Sequence, residues 1–234
     1  MFNEAFWDEY MGLYDRAIGT MWPYRKLLSD VVGATESGAM SVLDLGCGTG
    51  NLLALLLKSG ARELFGVERQ RTAVAIAQKK LETAHAEIHA LDLEGDPWEL
   101  DLPPVDVVFS VNVLYALEDP HTFLLRTRSC LRRGGVFVLT NPYRPEPARI
   151  LEAHLAWLEQ ATIEERVLDE ACVAARNRVA QMNDMIAGAA RQERAHFWDP
   201  QHISGALHGS GFEVLRLRTD AYEGVNVLAV ACRR

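Results

Sequence analysis

The residues best placed to do chemistry lie within Val42-Leu43-Asp44-Leu45-Gly46-Cys47-Gly48-Thr49-Gly50. Glycines at alternate positions let a backbone turn sharply and come close to a ligand, because no Cβ intervenes. A turn of this kind between a strand and a helix N-terminus is the nucleotide-cradling corner of a doubly wound sheet. The spacing discriminates between ligands. A dinucleotide fingerprint, G-x-G-x-x-G, needs its third glycine at position 51, where Asn51 stands. Further on, Glu68 closes a second apolar run, and a carboxylate there can accept both hydroxyls of a ribose. Together these residues describe a site for an adenosine-containing ligand other than a dinucleotide.

Such residues need regular elements to hold them. The apolar run 41–45 reads as a buried strand, and 51–59 as a helix stopped by Ser59-Gly60. Strands follow at 63–67, 86–90, 105–110 and 136–140, with helices at 70–83 and 120–131 between them. Asp119-Pro120 caps the latter helix, and Arg132-Arg133-Gly134-Gly135 ends it. Alternation of this kind specifies a parallel sheet with helices on both faces. The rhythm changes near the C-terminus. Asp199-Pro200 opens a helix at 200–209, and strands 211–217 and 225–231 are joined by a loop too short for a crossover, so they must run antiparallel.

The run Asp44-Leu45-Gly46-Cys47-Gly48-Thr49-Gly50 resembles the first motif of class I, Rossmann-like, S-adenosylmethionine-dependent methyltransferases, and the span 41–232 is similar to their plan. That resemblance implies an α/β fold: a three-layer αβα sandwich on a seven-stranded, mostly parallel sheet of order 3-2-1-4-5-7-6 with strand 7 antiparallel. It implies S-adenosyl-L-methionine as cofactor and the small-molecule branch of the family. By the same resemblance, Asp44 faces the methionine ammonium beside Gly46, with Cys47, Gly48 and Gly50 completing the loop. Glu68, next to Arg69, takes the ribose; Asp92, next to Leu93, takes the adenine amino group, with Asp96 the competing acid. Val111 offers its carbonyl to the ammonium. Tyr14, in Leu13-Tyr14-Asp15, touches the methionine end, and Tyr115 matches a position near the reacting end.

Methyl transfer from a sulfonium is a direct displacement, so the protein chiefly aligns the reactants and excludes water. A hydroxyl or carbon acceptor benefits from a general base, for which His154 and His196 are the candidates; an amine or thiol needs little more. The 7 histidines show no metal-ligand spacing, so no metal is expected, and any one of them more often serves structure. Amino-methyltransferases of DNA carry an N/D-P-P-Y motif after strand four. Here that place reads Ser110-Val111-Asn112-Val113, while Asn141-Pro142-Tyr143 follows strand five. With a net charge of −8, nucleic acid is not expected as a partner, since phosphate contacts need clustered cations. The expectation is a small-molecule or lipid-like acceptor. The alternative is a non-catalytic binder that uses the adenosine pocket as a sensor or scaffold.

At 234 residues the chain suits one domain. Residues 1–33 form an aromatic helical lid, 41–140 the cofactor-binding core, 141–198 a helical cap, and 199–234 the terminal helix and hairpin. Thr162-Ile163-Glu164-Glu165 reads as a capping box that opens the cap's second helix. The cap covers the site's mouth, or else serves a homodimer. The 4 cysteines are scattered without a C-x-x-C pair, which fits a cytoplasmic setting. No basic region precedes an apolar run at the N-terminus, and no apolar run reaches membrane-spanning length.

Overall fold

Strands β1 (Ser41–Leu45), β2 (Glu63–Glu68), β3 (Ala86–Ala90), β4 (Val105–Val111), β5 (Leu131–Pro142), β6 (Phe212–Asp220) and β7 (Asn226–Arg233) form one sheet of order β3-β2-β1-β4-β5-β7-β6. The computed structural model describes residues 2–35, 40–95, 97–100 and 102–234; Asp96 lies outside the described residues. The first five strands run parallel, and β7 lies antiparallel between β5 and β6. This is the order that the resemblance implied. Every residue of β1 is buried, as a central parallel strand covered on both faces requires.

Two apolar cores cover the faces. Val42, Val107 and Phe109 turn to one, Leu43, Leu45 and Val108 to the other. The second core takes α5 (Pro120–Cys130) and α8 (Pro200–Gly209), through Phe123, Leu124, Ile203 and Leu207. Both helices start on an aspartate followed by proline: Asp119 accepts the Thr122 N–H at 3.0 Å, and Asp199 that of His202 at 2.8 Å.

The first core takes α1 (Glu4–Ala17), α2 (Trp22–Val32) and α3 (Asn51–Lys58), together with Leu81 beyond α4 (Arg71–Lys80). The helices α6 (Ala148–Leu158) and α7 (Ile163–Arg191) join it, and α7 lies along α1. The capping box at the start of α7 is formed: Glu165 N–H donates to Thr162 Oγ1 at 3.2 Å, and Thr162 N–H to the Glu165 carboxylate at 3.0 Å.

Two details differ from the sequence reading. β5 begins at Leu131, directly after α5, and its register on β4 jumps from Val105–Leu131 to Val107–Val136. Arg132–Gly135 therefore bulge from the ladder, with Gly134 at φ +77°, instead of forming a loop ahead of the strand. Between β6 and β7 the chain turns through Ala221–Gly224, where Tyr222 and Glu223 hold φ of +49° and +58°. Non-glycine residues rarely adopt that conformation, and each such residue costs on the order of 1–3 kcal/mol. No described helix is long and apolar enough to cross a membrane.

Candidate active site

Gly46 and Cys47 donate their N–H groups to the Val67 carbonyl at 2.8 and 3.0 Å, which folds the loop after β1 back over β2. Gly46, Gly48 and Gly50 all have positive φ, yet they serve different ends. A Cβ on Gly46 would stand 2.3 Å from Val113, and one on Gly50 3.1 Å from Ala77, so both glycines allow close packing within the protein. At Gly48 the nearest atom would be Met11 Sδ at 3.8 Å. Gly48 faces open space, and its N–H donates to Glu68 Oε2 at 3.1 Å.

Two buried carboxylates meet beneath this loop. Glu68 accepts the N–H groups of Gly48 and Gln70, the latter at 2.8 Å. Its pKa is raised by burial, and those bonds oppose the shift. Asp44 is pushed up to about 8, first by burial and then by the Glu68 charge. Burying two acids side by side is costly unless a cation or hydroxyl donors meet them. Gln70 Oε1 is a further buried acceptor with no partner among the described residues.

The loop opens into a cavity of about 360 Å³. Of the residues expected to hold cofactor, Tyr14, Asp44, Gly46, Cys47, Gly48, Glu68, Arg69, Asp92, Leu93 and Val111 all line it, and Gly50 packs behind. Arg69 and Asp92 form an ion pair at 3.7 Å, both half exposed, while Leu93 is buried. Burial pushes the Cys47 thiol well above its usual range. The cavity continues between α1, α2, α6 and α7 as an aromatic chamber lined by Trp7, Tyr10, Tyr24, Tyr115, Phe197 and Tyr222. Burial raises the Tyr10, Tyr14, Tyr115 and Tyr222 hydroxyls well above the ordinary tyrosine value, and Tyr24 to about 12, so all five stay protonated near neutral pH.

Asp15 seats α1 on the loop. It accepts from Thr49 Oγ1 at 2.6 Å, Asn51 Nδ2 at 3.0 Å and Lys80 Nζ at 2.8 Å. Asn51, the residue that breaks the dinucleotide pattern, thus ties α3 to α1 instead of leaving room for a pyrophosphate.

Neither candidate histidine lines the chamber. His154 is buried between α6, α7 and the start of α2. Its Nδ1 accepts the Trp22 N–H at 3.3 Å, and its Nε2 meets Asp169 at 2.8 Å, which Arg176 also grips. His196 holds Tyr115 in place through its backbone: its N–H donates to the Tyr115 carbonyl at 2.9 Å. Its ring turns to Trp198, and burial lowers its pKa. The expectation of an imidazole base is corrected accordingly, because the His154 ring is held by Trp22 and Asp169, the His196 ring lies against Trp198, and neither lines the cavity. Among the described residues no group of histidine, cysteine and carboxylate side chains could hold a metal ion.

Sequence reasoning reached Trp7 only as one of the N-terminal aromatics and missed Asn183, Tyr222 and Asn226, all of which line the cavity. The aromatic crowding of residues 2–24 was the one signal available for Trp7; nothing local marks the other three.

A family model described as a methyltransferase domain matches residues 23–217. The chain belongs to the methyltransferase-domain family. Its cofactor is S-adenosylmethionine. The carboxylate pair, the open face of Gly48 and the orphaned Gln70 oxygen fit that ligand's ammonium and hydroxyl donors. Among curated relatives, a tRNA U34 carboxymethyltransferase of Shewanella sp. (strain W3-18-1) is 38% identical over 104 residues, spanning 42% of this chain and 30% of that protein. Its namesake from Shewanella sediminis is 36% identical over 123 residues, spanning 50% and 35%. The chain therefore spans about a third of these relatives' length. Their names overturn the expectation that nucleic acid is no partner: net charge averages over the whole surface and says nothing of one local face.

The fold recurs in a chain solved in complex with the Trm112 methyltransferase activator of Haloferax volcanii (TM-score 0.65, 18% identity, 99% of both chains). It recurs also in the magnesium protoporphyrin IX methyltransferase of Synechocystis with bound SAM (TM-score 0.56, 17% identity, 90% and 77%).

Proposed function

We propose that the chain transfers the methyl group directly to an acceptor whose reacting end is a planar or slender, largely uncharged group seated in the aromatic chamber. The observation that carries this reading is the continuity of the chamber with the cleft over Gly46 and Gly48. S-adenosylmethionine, when bound, supplies an electrophilic methyl on a sulfonium. The protein's part is to bind, orient and exclude water. In this reading Glu68 takes the ribose hydroxyls, Asp44 and the Val111 carbonyl the ammonium, and Asp92 with Leu93 and Arg69 the adenine. Tyr14 rests on the methionine end, and Tyr115 flanks the reacting methyl. The 141–198 cap walls the chamber through Ile150, Val179 and Ile186.

A free small molecule suits a chamber roofed by two helix pairs. A second reading, an unstacked base of a transfer RNA, is favoured by the names of the curated relatives; a base is planar and would meet the same rings. Both place the reaction in the cytoplasm, where the four unpaired cysteines stay reduced. The deciding experiment incubates the protein with methyl-labelled S-adenosylmethionine and, separately, a metabolite extract and unfractionated tRNA. Label in either fraction identifies the acceptor class. Label in neither, with S-adenosylhomocysteine bound, leaves the non-catalytic binder as the better reading.

A further inference from the structure

We propose that the acceptor is an amine, which reacts in the chamber as its free base; the inference rests on the methyltransferase reading above. Three independent features of the chamber carry it. The first is its hydrogen-bonding character. Among the described residues Asn226 Oδ1 has no partner, while its amide nitrogen donates to Asn112 Oδ1 at 2.6 Å and Thr140 Oγ1 at 2.9 Å. Tyr115 and Tyr222, whose hydroxyls burial keeps protonated, line the same chamber. The walls thus hold one buried amide oxygen that accepts and two hydroxyls that both donate and accept, a set that a ligand with N–H groups and a lone pair can meet. Tyr222 lines the chamber from a hairpin tip where it holds φ +49°, and strain of this kind gathers where a ligand is gripped.

The second feature is the placing of bases. A hydroxyl, thiol or carbon acid must shed a proton to become a strong nucleophile, and no imidazole lines the chamber. Its buried carboxylates, Asp44 and Glu68, lie at the cofactor end. An amine needs no such help. Moved from water into an apolar, ring-lined space, it favours the neutral form and keeps its lone pair free.

The third is electrostatic. Aromatic faces attract cations, and the ammonium product remains among five tyrosines and a tryptophan. Among the charged residues of the lining, Arg69 is paired with Asp92, buried Arg176 with Asp169 and Glu146 with Arg149, while Arg144 folds over the Tyr143 ring at 5.0 Å. Asp184 and Glu94 also line the cavity, and among the described residues neither forms an ion pair. An acidic rim draws an ammonium ion inward, where it gives its proton to water before it reacts. In the transfer step the amine lone pair forms the new C–N bond as the C–S bond breaks, and that electron pair stays on sulfur. S-adenosylhomocysteine and an N-methylammonium result: the positive charge passes from sulfur to nitrogen, and the product keeps only the N–H protons of the free base.

The test uses the whole chain and methyl-labelled S-adenosylmethionine. The probes are primary amines from butylamine to tryptamine, the matching alcohols and thiols, and unfractionated tRNA. Calorimetry follows binding of the same amines to protein loaded with S-adenosylhomocysteine. The expected result is label in the amines and in none of the matching alcohols and thiols, at rates that climb with pH as the free base accumulates. Tyr222→Phe should raise the amine KM about fivefold, the loss of roughly one hydrogen bond, and leave S-adenosylhomocysteine affinity unaltered. Label in alcohols, thiols or tRNA with amines blank overturns the proposal. So does a protein that binds S-adenosylhomocysteine yet neither binds nor labels any amine. Failure to bind S-adenosylhomocysteine would instead remove the methyltransferase reading on which it stands.

Discussion

At the scale of single residues, Asp44 is the group whose charge should control cofactor binding. Its folded pKa of about 8 stands above the ordinary 3.8 because it is buried beside Glu68. Between those values the folded chain holds a proton that the unfolded chain has released. The ligand-free protein therefore loses stability as pH rises through that window and loses no more above about 8. A ligand ammonium reverses the preference and favours the carboxylate. S-adenosylhomocysteine affinity should thus rise by up to about tenfold per pH unit from about pH 6 to 8 and then level off. Asp44→Asn should flatten the profile. Calorimetry across that range checks it, and a flat wild-type profile would place the ammonium elsewhere. The glycines separate in the same way. Gly46→Ala should unfold at lower temperature, since its methyl meets Val113. Gly48→Ala carries only the strain of its positive φ within the protein and should lose mainly ligand affinity. Paired thermal melts and titrations distinguish the two. Equal loss of affinity without loss of stability in Gly46→Ala would contradict the packing role.

At the scale of elements, the helices of the 141–198 insertion are held by a polar knot rather than by apolar packing alone. His154 joins α6 to the start of α2 and, through Asp169, to α7. His154→Ala removes a buried ring and leaves the Trp22 N–H unpaired, so a stability loss of about 2–4 kcal/mol is expected. Denaturant unfolding measures it. Because the ring lies outside the chamber, turnover per folded molecule should survive; its abolition would restore the catalytic role that the sequence suggested. The contrast shows what is legible in a sequence. The Asp119 and Asp199 caps and the Thr162–Glu165 box rest on interactions within four residues, strand and helix alternation shows in the local apolar pattern, and the structure forms each of them. The use of His154 depends on Asp169, on the next helix, and residue type alone does not tell a ligand-facing imidazole from one that locks two helices. Tyr222 and Asn226 were hidden for a related reason. They reach the chamber through the antiparallel register of β6 on β7 and a left-handed turn in which Gly224 follows two non-glycine residues, Tyr222 and Glu223, that no local signal marks.

At the scale of the whole molecule, the sheet order and the loop chemistry together decide which cofactor the cleft accepts. An antiparallel β7 closes the sheet where a second mononucleotide-binding half would continue with parallel strands. Asn51 binds Asp15 and Lys80 where a third fingerprint glycine would let a pyrophosphate approach. The acidic whole and the tRNA-modifying relatives are compatible in these terms, because the cofactor-binding half of the molecule constrains the acceptor hardly at all. The cofactor choice has a global readout. A ligand that binds only the folded chain, at a hundredfold its Kd, adds about 2.7 kcal/mol to stability. For a chain of this length that corresponds to a rise in Tm of roughly 5–10 °C. S-adenosylhomocysteine should produce such a rise, larger at pH 8 than at pH 6 because Asp44 is then ionised without help from the ligand. NAD should leave the melt unmoved at the same concentration, since Asn51, bonded to Asp15 and Lys80, stands where its pyrophosphate would need a glycine. A comparable shift with NAD, or a larger S-adenosylhomocysteine shift at pH 6, would mean that the two buried carboxylates do not select the ligand.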